Sequence, residues 1–156
     1  EELKKENVTA DDLPFIIADV LGYDQINNKI IIKNYSLSLS YGLKPSANVQ
    51  IEIDGNLYQE TSSGDGQYDA FMKALRVIYD KLGKQYPSLT DYQVSIPPGG
   101  ATDALVETVI TWDYNGKEFK TKGLDADQTE SAIKATERML NIIEGLNEKE
   151  NIQPGV

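Results

Sequence analysis

One order of elements occurs twice along this chain, and it restricts the fold more than any single motif does. Residues 30–41 are rich in β-formers, with Tyr35, Leu37, Leu39 and Tyr41 alternating with polar residues. After a break at 42–45, Ala47, Val49, Ile51 and Ile53 alternate against Asn48, Gln50 and Glu52. Asp54-Gly55 then supplies the pair preferred in a two-residue type I′ hairpin, whose central residues both need positive φ. Residues 57–61 return, residues 62–66 form a polar loop, and Phe71, Ala74, Leu75, Ile78 and Leu82 mark one face of a helix that Gly83 ends. The order then recurs. Tyr92, Val94 and Ile96 alternate, residues 97–100 interrupt, and residues 104–114 read as a long strand. Asn115-Gly116 repeats the hairpin signal, residues 118–121 lead back to Gly123, and Ala132, Ile133, Thr136, Met139, Leu140 and Ile143 stripe a second helix. Asp127 and Glu130 offer that helix a capping box. By punctuation, Asp54-Gly55 matches Asn115-Gly116, and Gly64 matches Gly123. The predicted fold is α+β: a duplicated strand–strand–strand–helix unit, antiparallel sheets with helices packed on one face, and a pseudo-two-fold relation.

Both ends of the chain read differently. Thr9 and Asp12 form a capping box for a short helix over residues 9–21, with Leu13, Ile16, Ile17, Val20 and Leu21 at helical spacing. Residues 146–156 are charged, end near Pro154-Gly155, and are expected to fray. The boundaries are therefore 1–30, 31–145 and 146–156. The chain opens on Glu1 rather than Met, which reads as a processed or excised piece. No apolar run nears the roughly 18 residues of a membrane helix, and no signal-peptide pattern is present, so the expectation is a cytoplasmic domain without membrane partners.

Composition excludes several chemistries. The chain has no histidine and no cysteine, which removes thiol nucleophiles, Cys/His zinc sites and the commonest general base. A formal charge of -10 and only two arginines, Arg76 and Arg138, argue against binding a phosphate backbone, so no nucleic-acid partner is expected. The carboxylates form no obvious acid–base pair, and no catalytic, metal or cofactor residue is predicted in this chain.

Three loops are candidate sites. In Gly64-Asp65-Gly66-Gln67-Tyr68-Asp69, the two glycines allow a tight turn before a helix start. Amides there can hold an anion such as a carboxylate, Asp69 can hold an ammonium group, and Tyr68 adds an aromatic wall. Those three features together describe a receptor for an α-amino acid. A strand-to-helix turn with ordinary caps gives the same local pattern, and the loop alone favours that plainer reading. Residues 97–103 form a stiff proline–glycine connection. Asp125 and Asp127 can ligate a hard cation, but a first-turn aspartate more often caps its helix.

The two unit patterns, taken with four segments, carry a family resemblance. The segments are Gly64-Asp65-Gly66-Gln67-Tyr68-Asp69-Ala70-Phe71, Leu89-Thr90-Asp91-Tyr92, Thr102-Asp103-Ala104-Leu105-Val106-Glu107-Thr108, and Gly123-Leu124-Asp125-Ala126-Asp127-Gln128 leading into Ala132-Ile133-Lys134-Ala135-Thr136. Residues 31–145 resemble the C-terminal regulatory domain of the 2-isopropylmalate synthase and citramalate synthase family, and the helix at 9–21 resembles the end of the linker subdomain before it. The resemblance implies a parent acyltransferase that condenses acetyl-CoA with a 2-oxo acid in a metal-dependent barrel, which this chain is too short to contain. It implies a homodimeric allosteric domain that binds the end product, leucine or isoleucine, for feedback inhibition. It also implies effector contacts at Tyr68, Asp69, Leu89, Tyr92, Ile96, Thr102, Val106 and Gln128, with Gly64 and Gly66 forming an anion-holding loop. Gln67-Tyr68 stands where leucine-type members commonly carry Pro-Val, a lean toward the citramalate type. A domain that dimerises and binds no ligand is the alternative.

Overall fold

The computed structural model describes residues 29–97 and 105–152, with side chains through residue 148. The expected helix at 9–21, Thr102 and the last four residues lie outside the described part. The chain divides into two compact units, the first spanning Lys29–Tyr86 and the second carrying Pro87 onward.

In the first unit, β1 (Ile30–Ser38), β2 (Ser46–Ile53) and β3 (Asn56–Ser63) form an antiparallel meander, followed by α1 (Gln67–Lys81). In the second, β4 (Ser88–Ser95), β5 (Val106–Tyr114) and β6 (Lys117–Asp125) form another, followed by α2 (Gln128–Ile152). The duplicated βββα order expected from the sequence is what the chain forms.

The hairpins fix the register. Asp54 and Gly55 take φ of 51° and 86°, and Asn115 and Gly116 take 59° and 83°, the left-handed pair that a type I′ turn needs. Because side chains alternate along a strand, that register sends Ala47, Val49, Ile51 and Ile53 to one face, all buried under α1. In the second unit it sends Thr108, Ile110, Trp112 and Tyr114 inward, beside Phe119 and Thr121 of β6. Each helix lies over the second and third strands of its own sheet.

Pairing shows how faithful the duplication is. Tyr35 and Val49 pair as Tyr92 and Ile110 do, a step of 57 along the first strands (92 minus 35). From β2 through the helix the step is 61 (115 minus 54). The difference of four residues (61 minus 57) falls in the connection between β4 and β5. Both first strands break register at the same place, between Ile32 and Asn34 in β1 and between Leu89 and Asp91 in β4. The register also corrects the pairing of Gly64 with Gly123. Gly64 corresponds to Asp125, and Gly123 lies two residues earlier, inside β6 rather than at its end. Both glycines nevertheless serve the close approach of the helix. A Cβ on Gly64 would sit 2.6 Å from the Ala70 amide nitrogen, and one on Gly123 would collide with the Ser131 carbonyl oxygen.

Strand and helix ends differ from the sequence pattern where capping or pairing stops them. Alternation runs on to Tyr41, but β1 ends at Ser38, because its partner β2 begins at Ser46 after Pro45. Leu39 is consequently 71% exposed. Gly83 ends α1 as expected: at φ 69° it lets its own amide reach Asp80 O (3.1 Å) and the Lys84 amide reach Tyr79 O (2.9 Å), a Schellman closure. Helix α2 runs to Ile152, through residues read as tail.

A buried polar seam locks the second unit. Trp112 Nε1 donates to Thr121 Oγ1 (2.9 Å), which donates to Ala135 O (2.8 Å), tying β5, β6 and α2 together. Thr108 and Ser131 share a hydroxyl hydrogen bond across the same layer.

Gly123→Ala is expected to destabilise by about 3 kcal/mol or more, since the clash is with backbone that cannot swing away. Gly66→Ala, with extended φ of -143° and open space around it, should change stability by less than about 1 kcal/mol. Urea midpoints of the two variants check the contrast.

Candidate functional site

The first unit places the glycine loop at the start of α1. Gly66 is the N-cap residue and, having no side chain, caps nothing itself. Asp69, three residues on, reaches back so that its Oδ2 accepts the Asp65 amide at 2.8 Å. Gly64 permits this, because a Cβ there would lie 2.6 Å from that same oxygen. The Asp65 amide holds the Asp69 carboxyl below its usual range, helped by Lys73 at 3.3 Å and opposed by burial. Gly64 N donates to Pro45 O (3.0 Å), so two loop amides expected to hold an external anion are already taken within the chain. Asp69 remains partly exposed and ionised at neutral pH. Tyr68 stacks on Phe71, with ring centroids 6.2 Å apart and planes at 19°, and Phe71 meets the edge of Tyr35 at 5.7 Å and 80°.

In the second unit, Leu89, Tyr92 and Ile96 fall on one strip along and just beyond β4. Along β4, Leu89 pairs with Trp112, Tyr92 with Ile110 and Val94 with Thr108, so all three share the face on which α2 packs. Ile96 follows one alternation further, level with Val106. Since α2 lies over β5 and β6, this strip of β4 stays open: Leu89 is 37%, Val94 39% and Ile96 70% exposed. The Gln128 side chain, in the first turn of α2, hydrogen-bonds the Tyr92 hydroxyl, while burial pushes the phenol above its ordinary range. Tyr92, Ile96, Val106 and Gln128 therefore belong to one neighbourhood. Leu89 does not adjoin Ile96, seven residues along the strand, which is roughly 23 Å at about 3.3 Å per residue. Val94 lies between Tyr92 and Ile96 on the same strip and was not among the expected residues, although its alternation with them was legible.

The aspartates before α2 are caps. Asp127 Oδ1 accepts the Glu130 amide (2.9 Å), Asp125 Oδ1 accepts the Asp127 amide (3.0 Å), and Asp125 Oδ2 pairs with Lys134 at 2.9 Å. The Asp127 amide, then Lys134, hold the Asp125 carboxyl below its usual range.

The helix-free face of the first sheet carries a hollow of about 290 Å³ lined by Asn34, Tyr35, Ser36, Asn48, Gln50 and Gln59. Its carboxamides pair across strands, Asn34 Nδ2 to Gln50 Oε1 at 2.7 Å and Gln59 Nε2 to Asn48 Oδ1 at 2.9 Å. None of the expected site residues lines it.

Two βββα units in matching register, each with a helix on one face of a meander, define a duplicated α+β module. The chain belongs to the LeuA allosteric (dimerisation) domain family, whose model matches residues 7–144. It is 27% identical over 146 residues to the 2-isopropylmalate synthase of Methanocaldococcus jannaschii, covering 92% of this chain and 26% of that protein. It is 33% identical over 129 residues to the probable 2-isopropylmalate synthase of Methanopyrus kandleri, covering 81% and 25%. To the 2-isopropylmalate synthase of Syntrophus aciditrophicus it is 32% identical over 142 residues, covering 91% and 26%. The chain thus spans about a quarter of the length of the curated relatives it matches. The resemblance read from the four segments is borne out for the regulatory domain of 2-isopropylmalate synthases. Among the described residues, no helix is long and apolar enough to cross a membrane.

Asp69 and Asp125 give a pH prediction. A carboxyl whose folded value is depressed contributes stability above its unfolded value, about 3.9, and that contribution is lost as pH falls through the folded value. The urea midpoint of wild type should fall steeply below about pH 4. Asp69→Asn combined with Asp125→Asn should flatten that fall, and an unchanged acid limb would contradict the assignment.

Proposed function

We propose that this chain is the effector-binding regulatory domain of a 2-isopropylmalate synthase, or of a closely related citramalate synthase. In this reading it pairs with a second copy and binds a branched-chain amino acid, leucine or isoleucine, as feedback inhibitor. The parent protein's reaction is the condensation of acetyl-CoA with a 2-oxo acid, on a catalytic portion that needs a divalent metal. The observation that carries the reading is the open apolar strip of β4, with the Tyr92–Gln128 contact midway along it.

A branched amino acid needs an apolar wall for its side chain and a carboxylate for its ammonium group. In the second unit Ile96, Val106 and Tyr92 offer the wall and Gln128 a polar edge; Asp69, with Tyr68 beside it, is assigned the ammonium group from the family resemblance. Leu89 and Thr102 are assigned to effector contact from the family resemblance. Burying a four-carbon side chain contributes about 2–3 kcal/mol, and one methylene changes that by about 0.8 kcal/mol. Leucine and isoleucine, equal in carbon count, are therefore separated by shape. An effector that binds one arrangement of the dimer more tightly than another shifts the pair toward it, and that bias reaches the attached catalytic portion through the linker.

The same strip supports a second reading, a pairing surface with no ligand, because an exposed run of Leu89, Val94 and Ile96 would also be covered by another chain. Calorimetry with leucine, isoleucine and valine separates the two. The regulatory reading predicts saturable heat with at least one of them and a raised melting temperature; no heat with any rejects it. Asp69→Asn should weaken binding about tenfold or more while light scattering shows an unchanged dimer mass. Undiminished binding would reject the ammonium role.

A further inference from the structure

An exposed sheet edge carries unpaired main-chain groups that another strand can join. Among the described residues the edge strands are β1 and β3 in one sheet and β4 and β6 in the other. All but β3 carry a feature that discourages such pairing. β1 and β4 each break register, between Ile32 and Asn34 and between Leu89 and Asp91, which twists the edge out of line. β6 carries Lys117, Lys120 and Lys122. β3 has no lysine and no proline, and its register with β2 is unbroken from Asn56 to Ser63.

The duplication sharpens the contrast. In an antiparallel ladder, alternate residues turn both main-chain groups toward the partner strand or both away from it. The Ile53–Asn56 pair closes the hairpin, so Leu57, Gln59, Thr61 and Ser63 turn theirs outward. The step of 61 makes Lys122 the counterpart of Thr61 (122 minus 61) and Leu124 that of Ser63 (124 minus 63). In β6 those outward carbonyls are covered by α2: Arg138 Nη1 donates to Lys122 O (2.7 Å) and Lys134 Nζ to Leu124 O (3.1 Å). The corresponding residues of α1 are Val77, which has no donor to give, and Lys73, which Asp69 holds at 3.3 Å. Gln59, Thr61 and Ser63 are all exposed.

Charge points to the occupant. Each copy carries a net charge of -10, so two copies approach best where charge is absent. The one charged residue of β3, Glu60, lies on the helix side and is neutralised by Lys81 at 2.7 Å. A two-fold axis through Gln59 sets Glu60 opposite Tyr58 of the other copy, and one through Thr61 sets it opposite Ser62, never opposite itself. The same pairing of β6 would set Lys120 or Lys122 against its own copy. We propose that β3 pairs antiparallel with β3 of a second copy of this chain across a two-fold axis, joining the two first-unit sheets into one continuous sheet. The inference rests on the pairing in the reading above and is independent of the effector.

Amide exchange followed residue by residue by NMR tests this on the whole chain, with light scattering giving the mass at each concentration. The Gln59 and Thr61 amides point away from β2, so slow exchange there needs another strand. They are expected to exchange slowly where the chain is a dimer and to lose that protection on dilution to monomer. Thr61→Pro removes one of those amides while keeping the β2–β3 ladder, and should raise the dimer dissociation constant about tenfold or more with circular dichroism unchanged. If that variant does not fold, exchange in wild type carries the test alone. Fast exchange at Gln59 and Thr61 in a dimeric chain, protection that persists in the monomer, or an undiminished dimer in folded Thr61→Pro would overturn the inference and leave the pairing reading standing. A chain that is monomeric at every concentration would instead overturn the pairing, and this inference with it.

Discussion

Register is the constraint on which the rest of this structure depends. Each three-stranded sheet has one face for a helix and one without, and the side-chain period of two means that a slip of one residue would exchange them. Asp54-Gly55 and Asn115-Gly116 prevent that slip by closing hairpins that few other residue pairs can close. Val49, Ile51 and Ile53 are then buried with Ala74, Leu75 and Ile78 of α1, and Ile110 and Trp112 with Ala135, Met139 and Leu140 of α2. The helices can come close enough to use that apolar face because Gly64 and Gly123 carry no Cβ where the helix backbone passes.

Duplication on this frame separates structure from function. The hairpins, the irregularity in each first strand and the helix placement are shared, so these belong to folding. The units differ at their helix starts. Asp69 bends back onto the Asp65 amide where the second unit has Asp127 capping its helix. Phe71 meets Tyr35 in the first unit, and the residue at its position in the second is Ala132. The outer faces differ as well. Asn34, Gln59 and Thr61 in the first sheet correspond to Asp91, Lys120 and Lys122 in the second, so uncharged side chains at these positions of one outer face are replaced by charged ones on the other.

Much of this was legible in the residues. Alternation located the buried face of β2, and the hairpin pairs located both turns, because each depends on chemistry a few residues wide. Positions that depend on a partner strand were harder. Alternation continued to Tyr41, but only pairing ends β1 at Ser38. Gly64 and Gly123 looked equivalent because both precede helices, yet only the ladder shows them two positions apart. Of the eight residues expected to touch an effector, Tyr92 and Gln128 are in hydrogen-bond contact and Leu89 lies on the same strip as Tyr92. Val94 was not named, although it shares the open strip with Leu89 and Ile96. Its exposure becomes visible only once the helix is laid over β5 and β6.

Hydrogen exchange measures the central claim most directly, that the open strip of β4 receives a branched amino acid. With saturating leucine or isoleucine, amides of Ser88–Ser95 and of the first turn of α2 should exchange more slowly, and those on the carboxamide-lined face of the first sheet should not change. Exchange in β4 and α2 that stays the same with and without either amino acid would contradict the account.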